Sequence, residues 1–450
     1  MAARPAALAW VPWLSCVSCL AWISCGAAAR NAVDDIDFQV AGRAEAFATF
    51  RVRCEPCAWE REGHEAVTLR LKLDGRYSQH LPILRSGVAE YRVALGRLAP
   101  GTHRLSYEPD PAVTASGLAG RPAAQVEDVA ISNLLADRPE HLPASLAPIV
   151  YARPNTVGRF TDLPVFMWYE AESTGRGTRY RYSMVFTNED GGTPADRLMA
   201  TWGRTTDIEY LYSVEVDGSG RILAEDYQGR DHVTTAFEGT REGRHPLLWV
   251  VTDNNMVDDT APAGGRTAIR YAPAAVPFTL RDVSREAVMD AHPWLYALMA
   301  RELDREGKIA ADPPAGRGVI PDPRRYVYVE ACGEAGVTAL SFSVRADGAW
   351  HDSDRGVPEY RIVRAGCWRG AVPLPAGVGL SSAGALRFQA HERPRPPGAG
   401  QPVTDRRTAL LTRVNRVFTL DERYRPVPLR FQWRGRVGLS PGESREFALR

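Results

Sequence analysis

Lysine is almost missing from this chain. Of its 55 basic residues only Lys72 and Lys308 are lysines, which leaves 53 arginines. Together with abundant Ala, Gly and Pro, that bias is what a GC-rich bacterial coding sequence produces, and it implies no ligand by itself. Net charge is missing too. The 55 basic residues face 54 Asp and Glu, a balance of +1 at pH 7 that supplies no basic surface for nucleic acid. Long apolar runs are absent beyond the N-terminus, which excludes a multi-span membrane protein. There is no Walker or dinucleotide fingerprint, no G-x-S-x-G elbow and no internal repeat. What remains is ordinary for a folded protein. A 44% hydrophobic and 24% charged composition excludes disorder, collagen and coiled coil as the dominant state. The 450 residues suffice for two or three domains.

The one apolar run reads as an export signal over residues 1–29. Arg4 gives a short positive region, Ala6 to Cys25 is apolar, and Gly26-Ala27-Ala28-Ala29 supplies the small residues of a cleavage site after Ala29. An uncleaved anchor and a lipoprotein attached through Cys25 are the alternatives. The mature chain then has no membrane span and is periplasmic or secreted. Cys54, Cys57, Cys332 and Cys367 remain after cleavage, an even number in an exported protein. Four cysteines allow three pairings. Cys54–Cys57 and Cys332–Cys367 are favoured because each pair falls within one proposed domain. A redox CxxC should open a helix after a strand, whereas the flanks of Cys54-Glu55-Pro56-Cys57 look like strands.

The fold is expected to be mainly β. Residues 33–140 carry short alternating strands separated by turn signals such as Asp74-Gly75, the pattern of an immunoglobulin-like sandwich. Residues 145–450 form a larger, jelly-roll-like β-sandwich unit. Its candidate strands are Pro164–Glu170, Arg179–Thr187, Ile208–Val216, Leu247–Thr252, Arg324–Glu330, Thr338–Arg345, Glu359–Arg364 and Leu386–His391. A helical insertion lies near 284–306, where Leu295, Leu298, Met299 and Leu303 recur at helical spacing and Gly307 is a good stop.

Chemistry-bearing residues concentrate between 187 and 259. Asp207 and Glu209 are the sharpest pair. Positions i and i+2 of a strand share a face about 6.5–7 Å apart, so the two carboxyl groups repel and one pKa can rise. That spacing lies near the low end of the inverting-glycosidase range. Alternatively Asp190, Asp207 and Glu209 ligate Ca2+ through carboxylate oxygens. His232 and His245 are candidates for a base or a ligand. Trp168, Trp202 and Tyr210 crowd the same stretch and could stack on a sugar.

The order of features from 145 to 260 resembles the vacuolar protein sorting-associated sixty-two family. The resemblance rests on Ala147-Pro148-Ile149-Val150-Tyr151, on the aromatic strand from Tyr182 to Asn188, on Asp207-Ile208-Glu209 in place of Asp-Trp-Glu, and on Gly243-Arg244-His245 in place of Gly-Ser-His. It implies a β-rich fold and no established activity, and it directs attention to Asp207, Glu209 and His245. The combined expectation is an exported protein that binds an extracellular or envelope ligand such as a glycan. The alternative is a secreted glycosidase-like hydrolase with Asp207 and Glu209 as acid and base and His245 beside them. Nothing in the sequence sets the oligomeric state.

Overall fold

The computed structural model describes residues 34–449 apart from 154, 155, 157, 158, 190, 191, 264–268 and 395–406. The expected signal peptide and Asp190 therefore lie outside the described residues. The chain is mainly β, as the sequence implies, and its strands form six sheets.

The first two sheets pack as a sandwich. One runs in the spatial order Asp34–Val40, Gly101–Pro109, Val67–Leu73, Arg76–Ile83, and the other Gly87–Leu98, Ala44–Cys54, Gln125–Leu135. Alternation explains the packing. Along the second strand Ala48, Phe50 and Val52 are buried while Arg51 and Arg53 are exposed. Both inner faces meet in one core with Leu69, Leu71, Leu105 and Trp59. Asp74 and Gly75 both take positive φ, 51° and 75°, the backbone that a two-residue hairpin between right-twisted strands requires.

A second sandwich follows. Its larger sheet runs Thr234–Ala236, Ile222–Gln228, Asp207–Val216, Thr178–Phe186, Pro164–Ser173, Val276–Pro277. The facing sheet contains Arg241–Glu242, His245–Val250, Ile149–Tyr151 and Arg270–Tyr271, with Val257–Asp258 paired to His245–Val250. Met167, Tyr182, Met184, Phe186, Leu211 and Leu248 fill the space between them. A third sandwich is built from Ala365–Pro373, Tyr326–Glu334, Ala409–Leu420 and Pro426–Leu429 with Trp433–Leu439, facing Ala349–Asp352, Thr338–Ala346, Ala385–Glu392 and Ser444–Ala448. Its core holds Val329, Phe342, Trp368 and Phe388. The strands after residue 145 thus make two sheet pairs with separate cores.

Helices lie between these two sandwiches. Ala195–Trp202, Ala287–Ala291 and Trp294–Arg305 bury Met199, Met289, Leu295 and Met299. On one side these meet Trp168, Val185 and Ile208 of the second sandwich, and on the other Tyr328, Ala371 and Phe418 of the third. Each such buried apolar side chain stabilises by roughly 1.5–3 kcal/mol, so the layer holds the two sandwiches together. The helical stripe expected at Leu295, Leu298, Met299 and Leu303 is buried here, and Gly307 ends the helix with φ 65°.

One local expectation differs. Glu359–Arg364 is not a strand: Pro358–Tyr360 is a single 3-10 turn, and the strand begins later, at Ala365. Pro358 sets the φ of the turn and has no N–H for a ladder. Trp202 ends the eight-residue helix Ala195–Trp202, which stops at Gly203 with φ 64°. A Cβ at Gly203 would also approach Arg369 Cγ to 3.0 Å, so that turn needs glycine on both counts.

Both disulfides pair as expected. Cys54–Cys57 closes a four-residue turn after Ala44–Cys54, and Cys332–Cys367 joins directly opposed residues of neighbouring strands. Two disulfides suit an oxidising compartment. Among the described residues no helix is long and apolar enough to cross a membrane.

Candidate functional site

Asp207 is the first residue of its strand and Glu209 the third. Strand alternation puts both on one side and sends Ile208 into the core against the helices. Their cross-strand partners are Phe186 and Met184. Both carboxyl groups are buried, with only 2% and 5% of each residue exposed. They sit at the inner wall of a cleft of about 590 Å3 between the second and third sandwiches.

The two acids are neighbours whose charges repel. Burial, then the neighbouring Glu209 charge, pushes Asp207 up from its ordinary 3.8 to about 7. Burial raises Glu209 as well, against the pull of Arg285 and Arg204.

Amides fix the pair from one side. Asn255 Nδ2 donates to Asp207 Oδ2 at 2.9 Å and to the Asn188 carbonyl at 3.1 Å. Gln228 Nε2 donates to Glu209 Oε2 at 3.0 Å and is bonded to His232 Nδ1 at 2.6 Å. Arginines fix it from the other. Arg204 lies 3.8 Å from Asp207 and 3.3 Å from Glu286, and Arg285 lies 3.8 Å from Glu209 and 4.0 Å from Glu286. Burial works against the Glu286 charge, but Arg204, Arg285, Arg364 and Arg369 together hold its carboxyl below the ordinary range. Glu189 also lines the cleft, and burial followed by the Asp207 charge raises its pKa.

Trp202 forms the adjoining wall, with three guanidinium groups around its ring. Arg364 lies over it at 3.6 Å, Arg285 at 5.1 Å and Arg204 at 5.5 Å from the ring centre. Arg364 also donates to the Thr201 carbonyl. Burial lowers its pKa to about 9.

The structure thus brings together Trp202, Asp207, Glu209 and His232, and separates the other candidates. His245 is buried on the far side of the second sandwich. It bonds the Ala147 carbonyl at 2.8 Å and Glu45 of the first sandwich at 3.0 Å, so it joins sandwiches and does not reach the acids. Trp168 is fully buried against the helices. Tyr210 alternates away from Glu209 and donates to Asp226. Arg285 and Arg364 were missed, because neither has a signal in a chain with 53 arginines.

Guanidinium groups flank both carboxyls of the Ca2+ set expected from the sequence, and Asp190, its third member, lies outside the described residues. Among the described residues no group of three or more His, Cys, Asp or Glu side chains is arranged around a common point. A second cavity, of about 540 Å3, lies between the first and second sandwiches and is bordered by Tyr91, Phe166 and Trp294.

No protein-family model matches the chain, and no curated protein is similar to it. Among solved structures, NLPPya in complex with mannosamine aligns at a TM-score of 0.23 and 11% identity, over 32% of this chain and 74% of that one. The C-terminal domain of EclA, a sugar-binding protein, aligns at 0.16 and 10% identity, over 22% and 79%. The tandem CBM51 modules of the family 98 glycoside hydrolase Sp3GH98 from Streptococcus pneumoniae align at 0.15 and 10% identity, over 82% and 78%. Scores this low establish no shared fold.

Proposed function

We propose that this is an exported protein that binds an extracellular or envelope glycan in the cleft between its second and third sandwiches. The cleft itself carries the reading. Its volume of about 590 Å3 fits a short saccharide, and one wall presents carboxyl, amide and guanidinium groups beside an indole. Sugars need this mixture: hydroxyls both donate and accept, while ring C–H faces pack on aromatics. Export is supported by the signal-like N-terminus and by two disulfides.

Titrating the purified chain against a panel of oligosaccharides by calorimetry tests the reading. Binding is expected, and Trp202→Ala should weaken it at least tenfold without changing the melting temperature of the first sandwich. A full panel without heat of binding overturns the proposal.

A hydrolase is the second reading, favoured by the raised pKa of Asp207, since an acid with a pKa of about 7 can donate at neutral pH. Glycan bound without release of reducing ends over hours rejects it. Turnover that survives Glu209→Gln rejects these residues as its machinery.

A further inference from the structure

The cleft is rich in arginine. Six of them, Arg197, Arg204, Arg285, Arg361, Arg364 and Arg393, line it beside four carboxyl groups, Glu189, Asp207, Glu209 and Glu359, and two acids behind the wall, Glu286 and Asp354, take up Arg204, Arg285 and Arg361.

The arginines are not equivalent. Arg204 and Arg285 serve Glu286 and the acid pair, and Arg361 is held by Asp354 at 2.8 Å. Arg364 forms no direct ion pair among the described residues. It donates to one carbonyl and lies over the face of Trp202, while the Glu286 charge acts on it without a direct contact. Arg197 stands on the same wall, at the surface of the helix Ala195–Trp202, also without an ion pair among the described residues. A guanidinium stacked on an indole keeps its plane fixed and its outer N–H groups directed past the ring edge, which is the arrangement that takes a carboxylate or sulfate in a two-point grip. A partly desolvated cation that no acid contacts directly is unfavourable in the free protein. An anionic ligand removes that penalty on binding.

We infer that the saccharide taken by this cleft is acidic, bearing carboxylate or sulfate groups, and that Arg364, with Arg197, is its anion-binding element. This rests on the glycan reading above. It adds the substrate class and assigns specificity to two residues outside the acid pair. The carboxyl pair and its amides then address the hydroxyls, and the free arginines address the charge.

The test pairs each acidic ligand with a neutral counterpart of the same backbone. Oligogalacturonate is set against its methyl ester, and a sulfated oligosaccharide against the unsulfated one, using the full chain by calorimetry. The acidic member of at least one pair should bind ten times more tightly or better, and which pair responds separates carboxylate from sulfate. Arg364→Gln should remove most of that preference and Arg197→Gln a smaller part, read in each variant as the ratio of acidic to neutral affinity. Equal affinity within both pairs overturns this inference and leaves the glycan reading standing. Binding to no member of either pair overturns it together with that reading. An acidic preference that survives both substitutions overturns the assignment to Arg364 and Arg197.

Discussion

Two buried clusters of opposite charges lie within a few residues of each other, and they are built differently. In the third sandwich Arg369, fully buried, reaches Asp290 and Glu330 at 2.6 Å each, bonds the Tyr296 hydroxyl at 2.6 Å, and donates to the Glu286 carbonyl at 3.0 Å. Glu330 is further held by the Ser284 hydroxyl at 2.9 Å, and Asp290 by Arg416 at 2.6 Å. That cluster is closed: acids and bases consume one another, and the surrounding Tyr328, Phe418 and helices exclude water. The cleft cluster around Asp207 is open. Burial raises the pKa of both Asp207 and Glu209, and two of its arginines, Arg364 and Arg197, line the cavity without a direct ion pair among the described residues. The difference shows how a buried charge is read. A saturated network specifies the docking of elements. An unsaturated one beside a cavity is arranged for something that arrives later.

This contrast can be broken by experiment, and the largest effect belongs to the closed cluster. Arg369→Met strands Asp290 and Glu330 in the protein interior and should lower unfolding free energy by about 3–5 kcal/mol, read from urea denaturation. A loss below about 1 kcal/mol would place both clusters in one class.

The next effect is a pH dependence of stability. Asp207 titrates near 7 folded and near 3.8 unfolded, so between those values the native state binds more protons than the unfolded one. Stability should therefore fall as pH rises through that window, by at most roughly 1.4 kcal/mol per unit from this group. Asp207→Asn should flatten the slope, as followed by thermal unfolding between pH 4 and 8. A steeper slope in the variant would contradict the raised pKa of Asp207.

Substituting the open cluster should have little effect on folding. Arg364→Gln removes a charge that no acid contacts directly among the described residues, and melting should report a change within about 1 kcal/mol of wild type. A loss comparable to that of Arg369→Met would make Arg364 structural. Smallest of all is His232→Ala. His232 is exposed, and its side-chain bond among the described residues is to Gln228, so stability should move by no more than about 0.5 kcal/mol.

Much of the architecture was legible because it rests on local alternation. Ala48 to Arg53, Val67 to Leu73 and the Asp207–Glu209 spacing each state their own inner and outer faces. The division after residue 145 into two sandwiches was not legible. Which strand pairs with which is decided by contacts far apart in the chain, such as Glu330 opposite Arg369 and Arg416. The site was half legible for the same reason. Asp207, Glu209, Trp202 and His232 are neighbours in sequence and remain neighbours in space. His245 is equally near in sequence, yet it turns to Glu45, 200 positions away. Arg285 and Arg364 reach the indole only because the helical layer and the turn after Pro358 bring them there. The lipid-anchor and cleavage alternatives concern residues outside those described.

The cleft is assembled from pieces that no single stretch of chain contains. Its acids come from the second sandwich, Arg285 from the approach to the helices, and Arg364 and Arg393 from the third sandwich. The span from 145 to 260 would if excised carry Asp207 and Glu209 with Arg204 but without Arg285, Arg364 or Glu286. An expression boundary drawn between residues 260 and 364 therefore divides the binding surface itself. Fragments on either side could fold and still share no ligand with the parent. The smallest unit in which activity should be sought runs from the second sandwich to the end of the third.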